Sequence, residues 1–341
     1  MYLLAMSGGR SAALAQYQTL RRILYEALNV DPSQETTRLY EQVKAGLLVE
    51  EQRRSTTPAR PAQALSNLPV QLTSFINREK EIGWLVSTLS GPPCRFVSLI
   101  GPAGIGKTRL SVEASESIKP LFPEGIWFVP VENINHIDAL PSLIFTSLGI
   151  ATSGLDDPWV KLHTVLRPLK CLLVLDNFEH LIGEVGRLIE ILQHAPEIKI
   201  LLTSRERPSL QSSCTLVLSG LEYPRKLNHP EALGYPAVRL FLDRAQRSRP
   251  GFAPQDQKQL EQIVRICQIV DGLPLGIELA AANLREYPLA DILDSLQNNL
   301  TILDTNLQDL PARHRSLRAA YQSSWDNLSE DERTTLLKLA V

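Results

Sequence analysis

The chain has almost no excess of anything. Its 341 residues include four cysteines and two methionines, and 6% are aromatic. Lysine plus arginine (35) nearly balances aspartate plus glutamate (37), for a net charge of −2. That balance excludes an overall basic footprint for nucleic acid. No apolar run approaches the ~18 residues of a spanning helix, so no membrane partner is expected. The N-terminus has an apolar start without a basic region before it or a convincing cleavage site, so no signal peptide is expected. Cys94, Cys171, Cys214 and Cys267 show no metal-ligand spacing and lie in or beside apolar patterns. They read as buried reduced thiols, and the compartment as cytoplasmic. A hydrophobic share of 44% and this length predict two or three globular domains.

What is present is concentrated in one stretch. Arg95-Phe96-Val97-Ser98-Leu99-Ile100 reads as a buried strand. It runs into Gly101-Pro102-Ala103-Gly104-Ile105-Gly106-Lys107-Thr108, which fits G-x-x-x-x-G-K-[ST] at every fixed position. Leu110, Val112 and Ile118 then mark an amphipathic helix. The glycines let successive N–H groups converge on one anion, and the helix N-terminus adds partial positive charge. Lys107 is the candidate partner of the β- and γ-phosphates, and the Thr108 hydroxyl a candidate Mg²⁺ ligand. Arg109, beside them, joins the candidate nucleotide-binding set. The expected ligands are ATP or ADP with Mg²⁺.

Cys171-Leu172-Leu173-Val174-Leu175-Asp176 reads as another buried strand, delivering a carboxylate to the same sheet edge. Asp176 is the second candidate Mg²⁺ ligand, acting through water. The next residue, Asn177, is a neutral amide and cannot act as a base. Glu179 is the nearest alternative acid, so hydrolysis is expected to be slow. His180 reads as structural. Ile126 to Val131, Lys199 to Arg205 and Leu216 to Leu218 supply further strands, with helices around 137–149 and 158–168. Residues 235–300 read as helical. They are broken at Asp271-Gly272-Leu273-Pro274-Leu275, where Gly272 ends one helix and Pro274 opens the next. Residues 1–47 read as helices, with Leu14, Tyr17, Leu20 and Leu24 on one face. Asp31-Pro32 is the expected start of the second. Residues 48–70, with Pro58, Pro61 and Pro69, read as a linker.

Several of these stretches resemble known families. SGGRSAALAQYQTLRRILYEALNVDPSQETTRLYEQVKAG resembles the end of the bacterial transcriptional activator domain, a tetratricopeptide-like module. In that family an OmpR-like winged helix that binds DNA precedes it. No such segment lies in this chain, so Met1 reads as an internal methionine or a fragment start. Phe75-Ile76-Asn77-Arg78-Glu79 resembles the hhGRE motif of STAND ATPases, which include NB-ARC proteins; Asn77 stands where glycine is usual. The resemblance implies that this segment packs along the adenine and adds Arg78 to the binding set. Thr203-Ser204-Arg205 resembles the family's sensor 1, which implies that Arg205 lies near the γ-phosphate. Gly272-Leu273-Pro274-Leu275 resembles its GLPL motif, which implies that Pro274 packs on the nucleotide. Arg313 onward resembles the start of a winged helix, with a capping box from Ser329 to Glu332.

The resemblance implies an α/β P-loop NTPase core with a five-stranded parallel sheet of ASCE/STAND type. It also implies the order 1–47 activator-domain end, 48–70 linker, 71–222 NTPase domain, 223–305 helical lid and 306–341 winged-helix start. The function it implies is a nucleotide-gated switch in a transcriptional regulator, self-associating with ATP and meeting DNA through an upstream domain. A P-loop enzyme or remodelling factor whose turnover is the function is the alternative, and a helical scaffold with a vestigial ATPase a third reading. Lys107, Asp176, Glu179 and Arg205 are the candidate catalytic residues.

Overall fold

The computed structural model describes residues 14–22, 32–45, 66–91, 94–151, 157–298, 322, 325 and 330–339. The chain divides into two compact units, Met1–Gln63 and Ala64–Val341. In the first, residues 14–22 are helical and a second helix, α1, spans Gln34–Ala45. Its start differs from the Asp31-Pro32 expectation. The Ser33 hydroxyl accepts from the Thr36 N–H at 3.3 Å, so serine caps the helix and Pro32 lies outside it. Tyr17 stacks on Tyr40 with ring centroids 4.1 Å apart, while Leu20 is exposed.

The second unit is built on five parallel strands: β1 Phe96–Ile100, β2 Ile126–Pro130, β3 Leu172–Asp176, β4 Lys199–Ser204 and β5 Cys214–Val217. Their spatial order is β2-β3-β4-β1-β5. This is the expected five-stranded sheet. β1, β3 and most of β4 are buried along their length, as strands covered on both faces must be. Side chains alternate between two cores. Val97, Leu99, Leu172 and Val174 face one, with Leu85 and Leu89 of α2 (Glu79–Ser90) and Leu110 and Ala114 of α3 (Lys107–Ile118). Phe96, Leu173, Leu175, Ile200 and Leu202 face the other. There they meet α4 (Leu140–Leu148), α5 (Pro158–Leu166) and α6 (Gly186–His194). Asn67 holds the outer edge: its side chain accepts from Phe128 N at 2.6 Å and donates to Phe128 O at 2.9 Å.

Four helices follow: α7 Pro236–Ser248, α8 Gln257–Ile269, α9 Pro274–Ala282 and α10 Leu289–Asn298. Their apolar faces continue the first core through Phe241, Ile263, Ile266 and Leu279. Asp271 and Gly272 both take positive φ (48° and 64°), turning the chain between α8 and α9. Leu221 N donates to Gly272 O at 2.8 Å, and a Cβ on Gly272 would meet Leu221 O at 2.1 Å, so only glycine fits this joint. The last described helix, α11, spans Glu330–Leu339. Ser329 and residues 306–321 of the expected winged helix lie outside the described residues.

The cysteines depart from expectation. Cys94 and Cys214 form a disulfide across 120 residues, because β5 pairs beside β1 with Cys214 opposite Val97. Cys171 and Cys267 are free and buried, as expected, and burial pushes both thiols up to about 12.

Candidate functional site

The loop between β1 and α3 closes on itself. Gly104 and Gly106 sit at φ 74° and 95°, conformations that favour glycine, and Gly106 is the residue before the first turn of α3. Buried Lys107 reaches back along the loop, donating to Gly101 O at 2.8 Å and Pro102 O at 3.1 Å. Thr108, next on the helix, donates to Asp176 Oδ1 at 2.7 Å. The strand order places β4 between β1 and β3, and β4 contributes Thr203, which also donates to Asp176 Oδ1 at 2.7 Å. Burial raises the Asp176 carboxyl above the usual carboxylate range; bonds from Thr203 and Thr108 and the Lys107 charge oppose it. Two hard oxygen groups, the Thr108 hydroxyl and the Asp176 carboxylate, thus meet at one point. Among the described residues no three His, Cys, Asp or Glu side chains could hold a metal. The pair fits Mg²⁺, which takes one or two protein oxygens and completes its shell with phosphates and water.

The loop and first turn, Ala103 to Arg109, line a cavity of about 1120 Å³ that extends to the helices after β5. Its far wall was expected at Pro274. Pro274 does line it, as the first residue of α9, but the direct contact with the loop is made by Leu275. Leu275 N donates to Gly104 O at 3.2 Å, and a Cβ on Gly104 would lie 2.7 Å from that of Leu275. Leu275 closes the GLPL-like motif, but as an apolar helix residue it reads as core, and the resemblance gave the contact to Pro274.

The segment before α2 forms another wall. Asn77 and Arg78 both take left-handed backbone, at φ 62° and 79°, so Asn77 supplies the turn expected of glycine. Arg78 points behind the loop, donating to Ser219 O at 2.7 Å and Ile105 O at 3.4 Å, and pairs with Glu81. Arg109 lies over the Phe75 ring and donates to Thr73 O at 2.8 Å; Glu278 of α9 is 3.5 Å away. Burial lowers the Arg109 guanidinium and Glu278 opposes it. Arg244 of α7, which the sequence reading missed, donates to Glu278 at 2.9 Å and pairs with Asp243.

At the other end of the cavity, Arg205 Nε lies 3.0 Å from Glu179 Oε1. The two residues singled out separately therefore form one ion pair. Glu179 Oε2 is buried with no hydrogen-bond partner. His180 bonds to Ile134 O at 2.7 Å, the structural role expected of it. Asn177 takes φ 62° and donates through its amide to Glu132 Oε2 at 3.2 Å.

The fold and the loop together define an α/β P-loop NTPase core. Residues 1–44 match the family model of the bacterial transcriptional activator domain. An uncharacterized protein of Mycobacterium tuberculosis is 31% identical over 79% of this chain and 66% of its own length. A putative HTH-type transcriptional regulator of the same organism is 30% identical over 72% of this chain and 26% of its own length. The regulatory protein AfsR of Streptomyces coelicolor is 25% identical over 96% of this chain and 33% of its own length. The chain is thus a relative of the AfsR-type bacterial regulators and spans about a third or less of the regulators it matches. Two solved structures are also similar. An Aeropyrum pernix ORC2 protein has a TM-score of 0.48 at 15% identity, over 77% of this chain and 74% of that one. A Pyrococcus horikoshii STAND protein with a tetratricopeptide repeat sensor has 0.42 at 16%, over 67% and 33%. No helix among the described residues is long and apolar enough to cross a membrane.

Proposed function

We propose that the chain is the ATP/ADP-binding switch module of a bacterial transcriptional regulator, reaching DNA through another domain. The observation that carries this reading is the bond from Leu275 of the helical lid to Gly104 of the phosphate loop. A change at the loop is mechanically a change at the lid. Lys107 would move its bonds from the Gly101 and Pro102 carbonyls to the β- and γ-phosphates. Backbone N–H groups of Ala103 to Thr108 would cradle the phosphates. Mg²⁺, held through Thr108 and Asp176, would neutralise phosphate charge. Phe75 and Ile76 would flank the base, with Arg78 and Arg109 fixing that wall. Arg205 would read the γ-phosphate, exchanging its Glu179 partner for a phosphate oxygen.

A switch requires only that two conformations differ in affinity for ATP and ADP. The test is sedimentation of the full chain with each nucleotide. Self-association with ATP and its reversal with ADP are expected. Identical behaviour with both, together with turnover at tens per second, would make the protein an enzyme instead.

A further inference from the structure

Asp176 is followed by an amide, so the sheet edge lacks an acid at the usual place. Glu179 also lies within the cavity, but its side chain is largely buried, away from water. Glu132 is placed differently. In the parallel register Pro130 lies opposite Asp176. Glu132 follows two residues later in the turn Val131–Asn133, and Asn177 follows Asp176 by one. Adjacent strands run about 4.8 Å apart, so the two strand ends present these side chains to one point. The Asn177 amide donates to Glu132 Oε2 at 3.2 Å. The backbone of Asn177 is anchored in turn, its N–H donating to Thr203 Oγ1 at 3.0 Å. That same hydroxyl donates to Asp176 Oδ1. One threonine therefore fixes both the metal-side carboxylate and the amide that orients Glu132. Glu132 is exposed and lines the same cavity as Lys107 and Thr108, where water can reach it.

We propose that Glu132 is the acid that activates the attacking water, with Asn177 as its positioning residue; this rests on the nucleotide-binding reading above. The water oxygen bonds to the γ-phosphorus and the bond to the β,γ-bridging oxygen breaks. The water proton passes to the Glu132 carboxylate and then to solvent, leaving ADP and inorganic phosphate. A positioned base contributes typically ~10²–10⁴-fold.

The test uses the full chain with Mg·ATP, reading ATP binding by calorimetry and phosphate release in parallel. Glu132→Gln should lower kcat at least tenfold, leave the ATP Kd within twofold, and remove the acid limb of the pH–kcat profile. Glu132→Asp should retain an intermediate rate. The assignment to Glu132 falls if E132Q keeps kcat within twofold, if kcat and affinity fall together, or if the wild type binds ATP but releases no phosphate. A wild type that binds no ATP instead overturns the nucleotide reading itself, a result visible in the binding arm alone.

Discussion

Substituting Gly104 tests the contact between loop and lid. The residue takes φ 74°, and its added Cβ would lie 2.7 Å from Leu275 Cβ and 2.9 Å from Leu275 Cδ2. A left-handed alanine costs about 1–2 kcal/mol. Overpacking against α9 adds about 1–3 kcal/mol, because Leu275 is buried and its Cβ cannot rotate away. Gly104→Ala should therefore lose about 2–5 kcal/mol of stability, with the lid displaced from the loop. Gly83 is the matched control. It lies within α2 with open space around its Cβ position. Gly83→Ala should gain about 0.5–1 kcal/mol through helix propensity. Urea denaturation of the full chain, followed by tryptophan fluorescence, compares the two. Calorimetry with ATP and ADP then reads the lid, and G104A should bind them with a smaller difference than the wild type. If G104A loses less than 1 kcal/mol and keeps that difference, the lid is not held against the loop as described.

Asp176→Asn keeps an oxygen to accept from Thr108 and Thr203 while removing a buried charge. It should fold at least as stably and lose the Mg²⁺-dependent part of ATP affinity; equal losses with and without Mg²⁺ would contradict its metal role. The raised carboxyl also sets a sign. The folded wild type holds this proton longer than the unfolded chain, so stability falls as pH rises from the usual carboxylate range to the raised value. Titrating stability against pH should show that slope flattened in D176N. Arg205→Ala should narrow the ratio of ATP to ADP affinity, measured by competition, and an untouched ratio would remove Arg205 from sensing. Cys214→Ser should lower stability by about 2–4 kcal/mol, and dithiothreitol should do the same to the wild type but nothing further to the variant.

The parts legible in the sequence are those fixed by local spacing. The phosphate loop must sit between a buried strand and a helix, and Asp176 must end a strand, so their places followed from pattern. Asn77 was legible for a similar reason, since asparagine tolerates the left-handed turn that its motif needs. Contacts between distant segments were not legible. Arg205 and Glu179 stood out singly, but only the packing of β3 beside β4 makes them a pair. Leu275 looks like any lid-core leucine until Gly104 comes within reach of it. Cys94 and Cys214 look unrelated over 120 residues, and only the β1–β5 register joins them. Glu132 is a turn acid by composition; the amide of Asn177 is what singles it out. Element ends also slipped: β5 runs Cys214–Val217 where Leu216 to Leu218 was expected.

Every role proposed for the site requires that the loop at Lys107 bind the phosphates of a nucleotide. Calorimetric titration of the full chain with Mg·ATP, run beside Lys107→Ala, tests it directly. The wild type should bind saturably. The variant, losing a charged partner of the phosphates, should bind weaker by about 2–4 kcal/mol, roughly 30- to 700-fold. ATP affinity unchanged in K107A, or no binding by the wild type, would contradict the account.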